Sequence, residues 1–185
     1  MTKVYSTSLR SYKLYNPVRM QTDVIILHGS FDKVADSDEI SADRKYSRTL
    51  RVNADDIEEM IPGQPASTLT IEGAERIRDF IEKAIKDNHD IVVHCHAGVS
   101  RTGAVMYQAF NRYNLECIDV KREQSGRRIR EEDETVDVDN FNYFYMPNGL
   151  WLKLFDTVYK DDDKYSKVLY PDLLSRPRLQ SKLEF

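Results

Sequence analysis

Short apolar runs separated by polar punctuation define the elements of this chain. Asp23–Leu27 (DVIIL) is a compact apolar run followed by His28-Gly29, the pattern of a buried strand ending in a turn. Arg48–Asn53 (RTLRVN) alternates apolar and polar residues and predicts a second strand. MIPGQPAS, residues 60–67, carries two prolines and a glycine and reads as a loop. Thr70 then suits an N-cap, with Glu72 in the first turn. Ile71, Ala74, Ile77, Ile81, Ala84 and Ile85 recur behind it at helical spacing, which predicts an amphipathic helix over 71–87. A polar turn, KDNHD, leads into the apolar run Ile91–Val93. Strand, helix, strand in this order implies a parallel sheet joined by a right-handed crossover.

The second half continues the alternation. Thr102–Asn114 is predicted to be a helix with Val105, Met106, Ala109 and Tyr113 facing inward. Leu150, Trp151, Leu154, Phe155, Val158 and Tyr159 form another helical stripe. Beyond Asp161 the pattern fades, and residues 161–185 are expected to be a surface tail, partly disordered. The expected architecture is α/β: one domain over residues 1–160, with a central, mostly parallel sheet flanked by helices.

Composition narrows the classes. A chain of 185 residues with 41% hydrophobic content suits a single domain with a real core. Charged residues make up 31% and the net charge is −4, so a generic nucleic-acid binder is not favoured. The start, MTKVYSTSLRSY, lacks the apolar core of a signal peptide, and no apolar run is long enough to span a bilayer. Cys95 and Cys117 are too few for a disulfide scaffold. The expectation is a cytoplasmic protein with no membrane partner; its oligomeric state is left open.

The chemistry concentrates in IVVHCHAGVSRTG, residues 91–103. The strand would carry Cys95 to the carboxyl edge of the sheet, where open α/β sheets bind ligands. His96, Ala97, Gly98, Val99 and Ser100 are small or polar enough for a tight loop whose backbone N–H groups converge on one point. The dipole of the next helix adds positive potential there. Arg101 supplies a planar fork of donors matched to two phosphate oxygens. The same field favours a thiolate at Cys95. A thiolate facing bound phosphorus is a nucleophile, and the Thr102 hydroxyl is expected to hydrogen-bond the sulfur.

HCHAGVSRTG resembles the HC-x5-R-[ST] signature of the cysteine-dependent protein tyrosine phosphatase superfamily, and its AGVSR core is most like the dual-specificity branch. Met146-Pro147-Asn148 with GLWLKLFDTVYK resembles the PN-x-x-F-x-x-x-L element of the C-terminal helix in that branch. The resemblance spans residues 23–160 and is most specific over 50–110. Compact length points to the small prokaryotic or viral members. It implies a phosphatase-type fold with a phosphate-binding loop between strand and helix. The implied reaction is hydrolysis of phosphoprotein monoesters, on phosphotyrosine and also phosphoserine or phosphothreonine, through a phosphocysteine on Cys95, with no metal and no cofactor. An aspartic acid would protonate the leaving oxygen and then activate water. VNADDIEE offers Asp56, 39 residues before Cys95, and Asp55, one residue earlier. That interval is longer than usual in the family, and the 60–67 loop would absorb the excess. Asp56 is preferred on two grounds. Extending the alternation of Leu50, Val52 and Ala54 puts it on their face, and it directly precedes an aliphatic residue, Ile57.

Other residues have plainer readings. His94 is expected to hold the loop by hydrogen bonding rather than to act as a base, and His96 either touches substrate or is simply solvated. Cys117 reads as a structural thiol, with a redox partnership to Cys95 as the alternative. The basic cluster Lys121–Arg130 precedes Glu131-Glu132-Asp133-Glu134 and reads as a self-neutralised surface, with substrate docking as the alternative. Phe141, Tyr143, Phe144 and Tyr145 are read as packing residues. Competing functions for the same loop are hydrolysis of RNA 5′-phosphates or phosphoinositides, a non-catalytic phosphate-binding module, and arsenate or redox chemistry. The loop lacks the extra lysines expected for a polyanionic headgroup.

Overall fold

A computed structural model describes residues 1–29, 42–57, 68–120, 123–124, 127–128 and 133–161. The 60–67 loop, the side chains of the Lys121–Arg130 cluster and the tail from residue 162 lie outside the described residues.

Six strands form one sheet, β1 (Lys3–Ser8), β2 (Thr22–His28), β3 (Thr49–Asn53), β4 (Asp90–Cys95), β5 (Glu116–Asp119) and β8 (Glu134–Val136), in the spatial order β3-β2-β4-β1-β5-β8. Between β5 and β8, β6 (Glu123–Gln124) and β7 (Arg127–Arg128) pair as a small separate ribbon. All neighbours in the main sheet are parallel except the edge strand β8. This is the mostly parallel α/β architecture expected. The sequence pattern missed β1, whose residues KVYSTS carry little apolar signal, yet β1 lies beside β4 in the middle of the sheet. It also missed β5 and β8, both four residues or shorter.

Five helices are described: α1 (Leu9–Leu14), α2 (Ile71–Asp87), α3 (Arg101–Tyr113), α4 (Phe141–Phe144) and α5 (Gly149–Tyr159). α2 starts where predicted: Thr70 accepts a hydrogen bond from the Gly73 N–H, and Asn88 ends the helix in the left-handed region at φ 54°. In α5 the deeply buried positions are Trp151, Leu152 and Phe155, while Leu150, Leu154 and Val158 are only partly covered. The stripe is therefore rotated from the predicted one. Phe141, Phe144 and Tyr145 pack in the core as expected, but Tyr143 is exposed.

Side chains alternate across the central strands and divide the core in two. Ile25, Leu27, Ile91, Val93 and Cys95 face the cluster under the large helices, with Ile77, Ile81, Met106, Trp151 and Phe155. Val24, Ile26 and Val92 face a smaller cluster built from Tyr5, Tyr12, Ala42 and Tyr46. At the amino edge of the sheet Arg48 pairs with the buried Asp23 and with Asp87, tying β2 and β3 to the end of α2. Among the described residues, the carboxyl edge carries those that follow β1, β3 and β4: α1, residues 54–57 and residues 96–100.

Candidate active site

β4 runs between β1 and β2, every residue from Asp90 to Cys95 buried, with Ser8 of β1 opposite Cys95. The strand therefore ends at the centre of the carboxyl edge. Residues 96–100 form the loop, and α3 begins at Arg101. Gly98 is the pivot. Its φ of +71° is a left-handed value, and a Cβ built there would lie 2.7 Å from the Thr7 carbonyl oxygen of β1. Only glycine satisfies both conditions. The turn directs the Gly98 N–H to the Cys95 sulfur at 3.2 Å, and the Leu9 N–H of α1 holds the His96 carbonyl at 3.1 Å. The loop thus rests on β1 and the start of α1.

Cys95 is buried with 2% of its surface exposed, at the floor of the loop, while His96 and Ala97 are exposed and Val99 and Ser100 half-buried. Arg101 is buried at the first turn of α3, and its guanidinium donates to the Ala54 carbonyl oxygen at 3.2 Å. Thr102 does not meet the expectation drawn for it. Its buried hydroxyl makes no hydrogen bond among the described residues, and the sulfur's donor is the Gly98 N–H instead. Thr102 is the second residue of α3, so its backbone is already committed to the helix.

The two aspartates separate clearly. β3 ends at Asn53, and the alternation that placed Asp56 on the apolar face stops there: Ala54 and Asp55 are both buried, Asp56 is not. Asp56 therefore does not share the apolar face of Leu50, Val52 and Ala54, contrary to expectation, yet it is the aspartate that reaches the loop. Its Oδ1 accepts from the Ser100 hydroxyl at 2.6 Å and from the Asn148 amide at 2.9 Å, and its Oδ2 lies 4.0 Å from Arg101 Nε. The Ser100 side chain makes no capping bond to α3; it is turned to Asp56. Asp55 has 3% of its surface exposed.

His94 differs from its predicted role. Successive side chains of a strand point to opposite faces, so His94 points away from Cys95 into the smaller cluster. There its ring stacks on Tyr12 with centroids 4.0 Å apart and meets the edge of His28 at 6.1 Å. Neither ring nitrogen has a well-formed hydrogen bond, and only a marginal one links it to the Cys95 backbone. Burial, followed by the nearby His28 and Arg51 charges, lowers its pKa to about 3. It supports the loop as a neutral packed ring. Cys117 is fully buried on β5, its pKa pushed up to about 12 by burial and by Glu116, so it lacks thiolate character. Both cysteines are free.

Asn148 belongs to the Met146-Pro147-Asn148 motif and caps α5; an asparagine just before an apolar stripe is a local signal for such a cap, and nothing in the sequence signals its contact with Asp56 across 92 residues. Residues 36–112 match the family described as Tc-R-P: Polymorphic toxin system, DSP-PTPase phosphatase. That segment holds Asp56, Cys95 and Arg101 together and supports a phosphatase of the tyrosine and dual-specificity type. Among solved structures, one described as "Crystal structure of Tk-PTP in the active form" is similar at 12% identity, covering 95% of this chain and 94% of its own, with a TM-score of 0.42. No curated protein is significantly similar in sequence.

Proposed function

We propose that this chain, a phosphatase of the cysteine-dependent tyrosine and dual-specificity superfamily, hydrolyses phosphomonoesters on proteins through a phosphocysteine at Cys95. The observation that carries the reading is convergence. The loop bonds the buried cysteine sulfur through Gly98 and the exposed aspartate of the β3 loop through Ser100, and that aspartate lies 4.0 Å from the arginine that opens α3.

The Gly98 N–H donates to the Cys95 sulfur and holds it beneath the loop, in place to attack a bound phosphoryl group. The loop N–H groups and the Arg101 guanidinium bind the phosphoryl oxygens and meet the charge that develops on them in the transition state. The sulfur attacks phosphorus, a P–S bond forms, and the P–O bond to the substrate breaks. Asp56 gives its proton to the leaving oxygen. In the second step Asp56 takes a proton from water, the water oxygen bonds to phosphorus, and the P–S bond breaks to return the thiolate and release inorganic phosphate.

The test is a panel of phosphopeptides, a triphosphorylated RNA and phosphoinositides, with wild type and Cys95→Ser. Wild type should turn over phosphopeptides, and Cys95→Ser should bind them without turnover. Turnover by the serine variant within about tenfold of wild type would refute a nucleophilic Cys95, and preference for the RNA or the lipids would move the substrate to those classes. Asp56→Asn should slow a phenyl or alkyl phosphate by about 10²–10⁴-fold and a phosphate with an acidic leaving group far less, while Asp55→Asn should do little. We place the reaction in a cytoplasm. The matched family is described as part of a polymorphic toxin system; growth arrest on inducing wild type but not Cys95→Ser inside a cell would support a toxic reaction in the cytoplasm, and normal growth in both would count against it.

A further inference from the structure

Asn148 is fully buried, and every feature of its side chain is committed. Its Oδ1 accepts from the Trp151 N–H at 3.1 Å, capping α5. Only an oxygen can meet that N–H, so the cap fixes the orientation of the amide. The two Nδ2 hydrogens are thereby aimed at the β3 loop, one at Asp56 Oδ1 (2.9 Å) and one at the Ile57 carbonyl oxygen (3.0 Å). The backbone N–H of Asn148 lies 3.3 Å from the Ser100 carbonyl oxygen. One residue therefore joins the first turn of α5, the end of the phosphate loop and the segment that carries the aspartate.

We infer that Asn148 is a positioning residue for the proton-transfer step: it fixes the Asp56 carboxyl so that Oδ2 carries the transferred proton. The inference rests on Asp56 as the acid. Two donors, Asn148 Nδ2 and the Ser100 hydroxyl, occupy Oδ1. A proton on Oδ1 would displace one of them, so the proton belongs on Oδ2. That oxygen lies 4.0 Å from Nε of Arg101, the residue assigned above to the phosphoryl oxygens. The amide bond to the Ile57 carbonyl holds the backbone as well as the carboxyl, so losing it frees the whole segment. Proton transfer tolerates little displacement of the acid.

The variant is Asn148→Ser. Serine is as good an N-cap as asparagine, so α5 keeps its cap, but its side chain carries no amide to reach the β3 loop. Expected is a fall in kcat/KM of roughly tenfold to a hundredfold with phenyl phosphate, a change under about twofold with a phosphate whose leaving group is strongly acidic, and a near-normal melting temperature. In an Asp56→Asn background the same substitution should add nothing. Asn148→Thr, which also caps but has no amide hydrogens, should show the same leaving-group dependence and serves if the serine variant folds poorly. Equal losses on both substrates, or no loss on either, would overturn the inference. The two readings fail differently. If Asp56→Asn shows the leaving-group dependence and the Asn148 variants do not, only the positioning role falls. If Asp56→Asn does not show it, the acid itself is misassigned and the positioning role falls with it.

Discussion

The neutral, buried His94 ties folding stability to pH. An unfolded histidine has a pKa of 6.5, whereas His94 in the fold is held down at about 3 by burial and by the neighbouring His28 and Arg51 charges. Below pH 6.5 the unfolded chain therefore binds a proton that the folded chain refuses. This contribution to stability is complete above pH 6.5 and is lost as pH falls toward 3. Applied to these two values, linkage gives a loss of about 2 kcal/mol between pH 7.5 and pH 5, or a fall of about 4–8 °C in melting temperature for a chain of this size. His94→Phe isolates the effect. Phenylalanine keeps an aromatic ring against Tyr12 and discards two nitrogens that have no well-formed hydrogen bond to lose. Urea unfolding of both proteins at pH 7.5, 6.5, 5.5 and 5.0 measures it, since every other titrating group is common to the two. The variant should lose about 2 kcal/mol less than wild type over that range. Parallel stability curves would refute the claim that His94 is buried uncharged beneath the loop.

Two further outcomes follow from the site. Gly98→Ala places a methyl group 2.7 Å from the Thr7 carbonyl oxygen at a left-handed φ, so the loop must lift from β1. A displacement near 1 Å should cost about 10²-fold in kcat even with an acidic leaving group, and a normal kcat would mean that the loop is not seated on β1 during turnover. Cys117→Ala should leave turnover within about twofold of wild type, because a fully buried thiol with its pKa pushed up to about 12 is a poor nucleophile; loss of turnover would favour the redox reading.

The sequence by itself determined the elements whose signal is local. DVIIL and IVVHC are apolar because a central parallel strand is covered on both faces. Thr70 and the isoleucine spacing behind it set the start and inward face of α2. HCHAGVSRTG set the order strand, loop, helix, and with it the places of Cys95, the loop and Arg101. Tertiary structure alone decided what depends on pairing between distant segments. β1 has a weak apolar signal, yet pairing on both edges makes it the shelf on which Gly98 rests. Alternation along β4 sent His94 to the face opposite Cys95, where Tyr12, a residue far away in sequence, waits to stack on it. Asp56 was distinguished from Asp55 not by the strand pattern, which ends at Asn53, but by Ser100 and Asn148. A side chain's chemistry is written in its residue type, but the partner that orients it is supplied by chain closure over 44 and 92 residues, and local patterning carries no record of that.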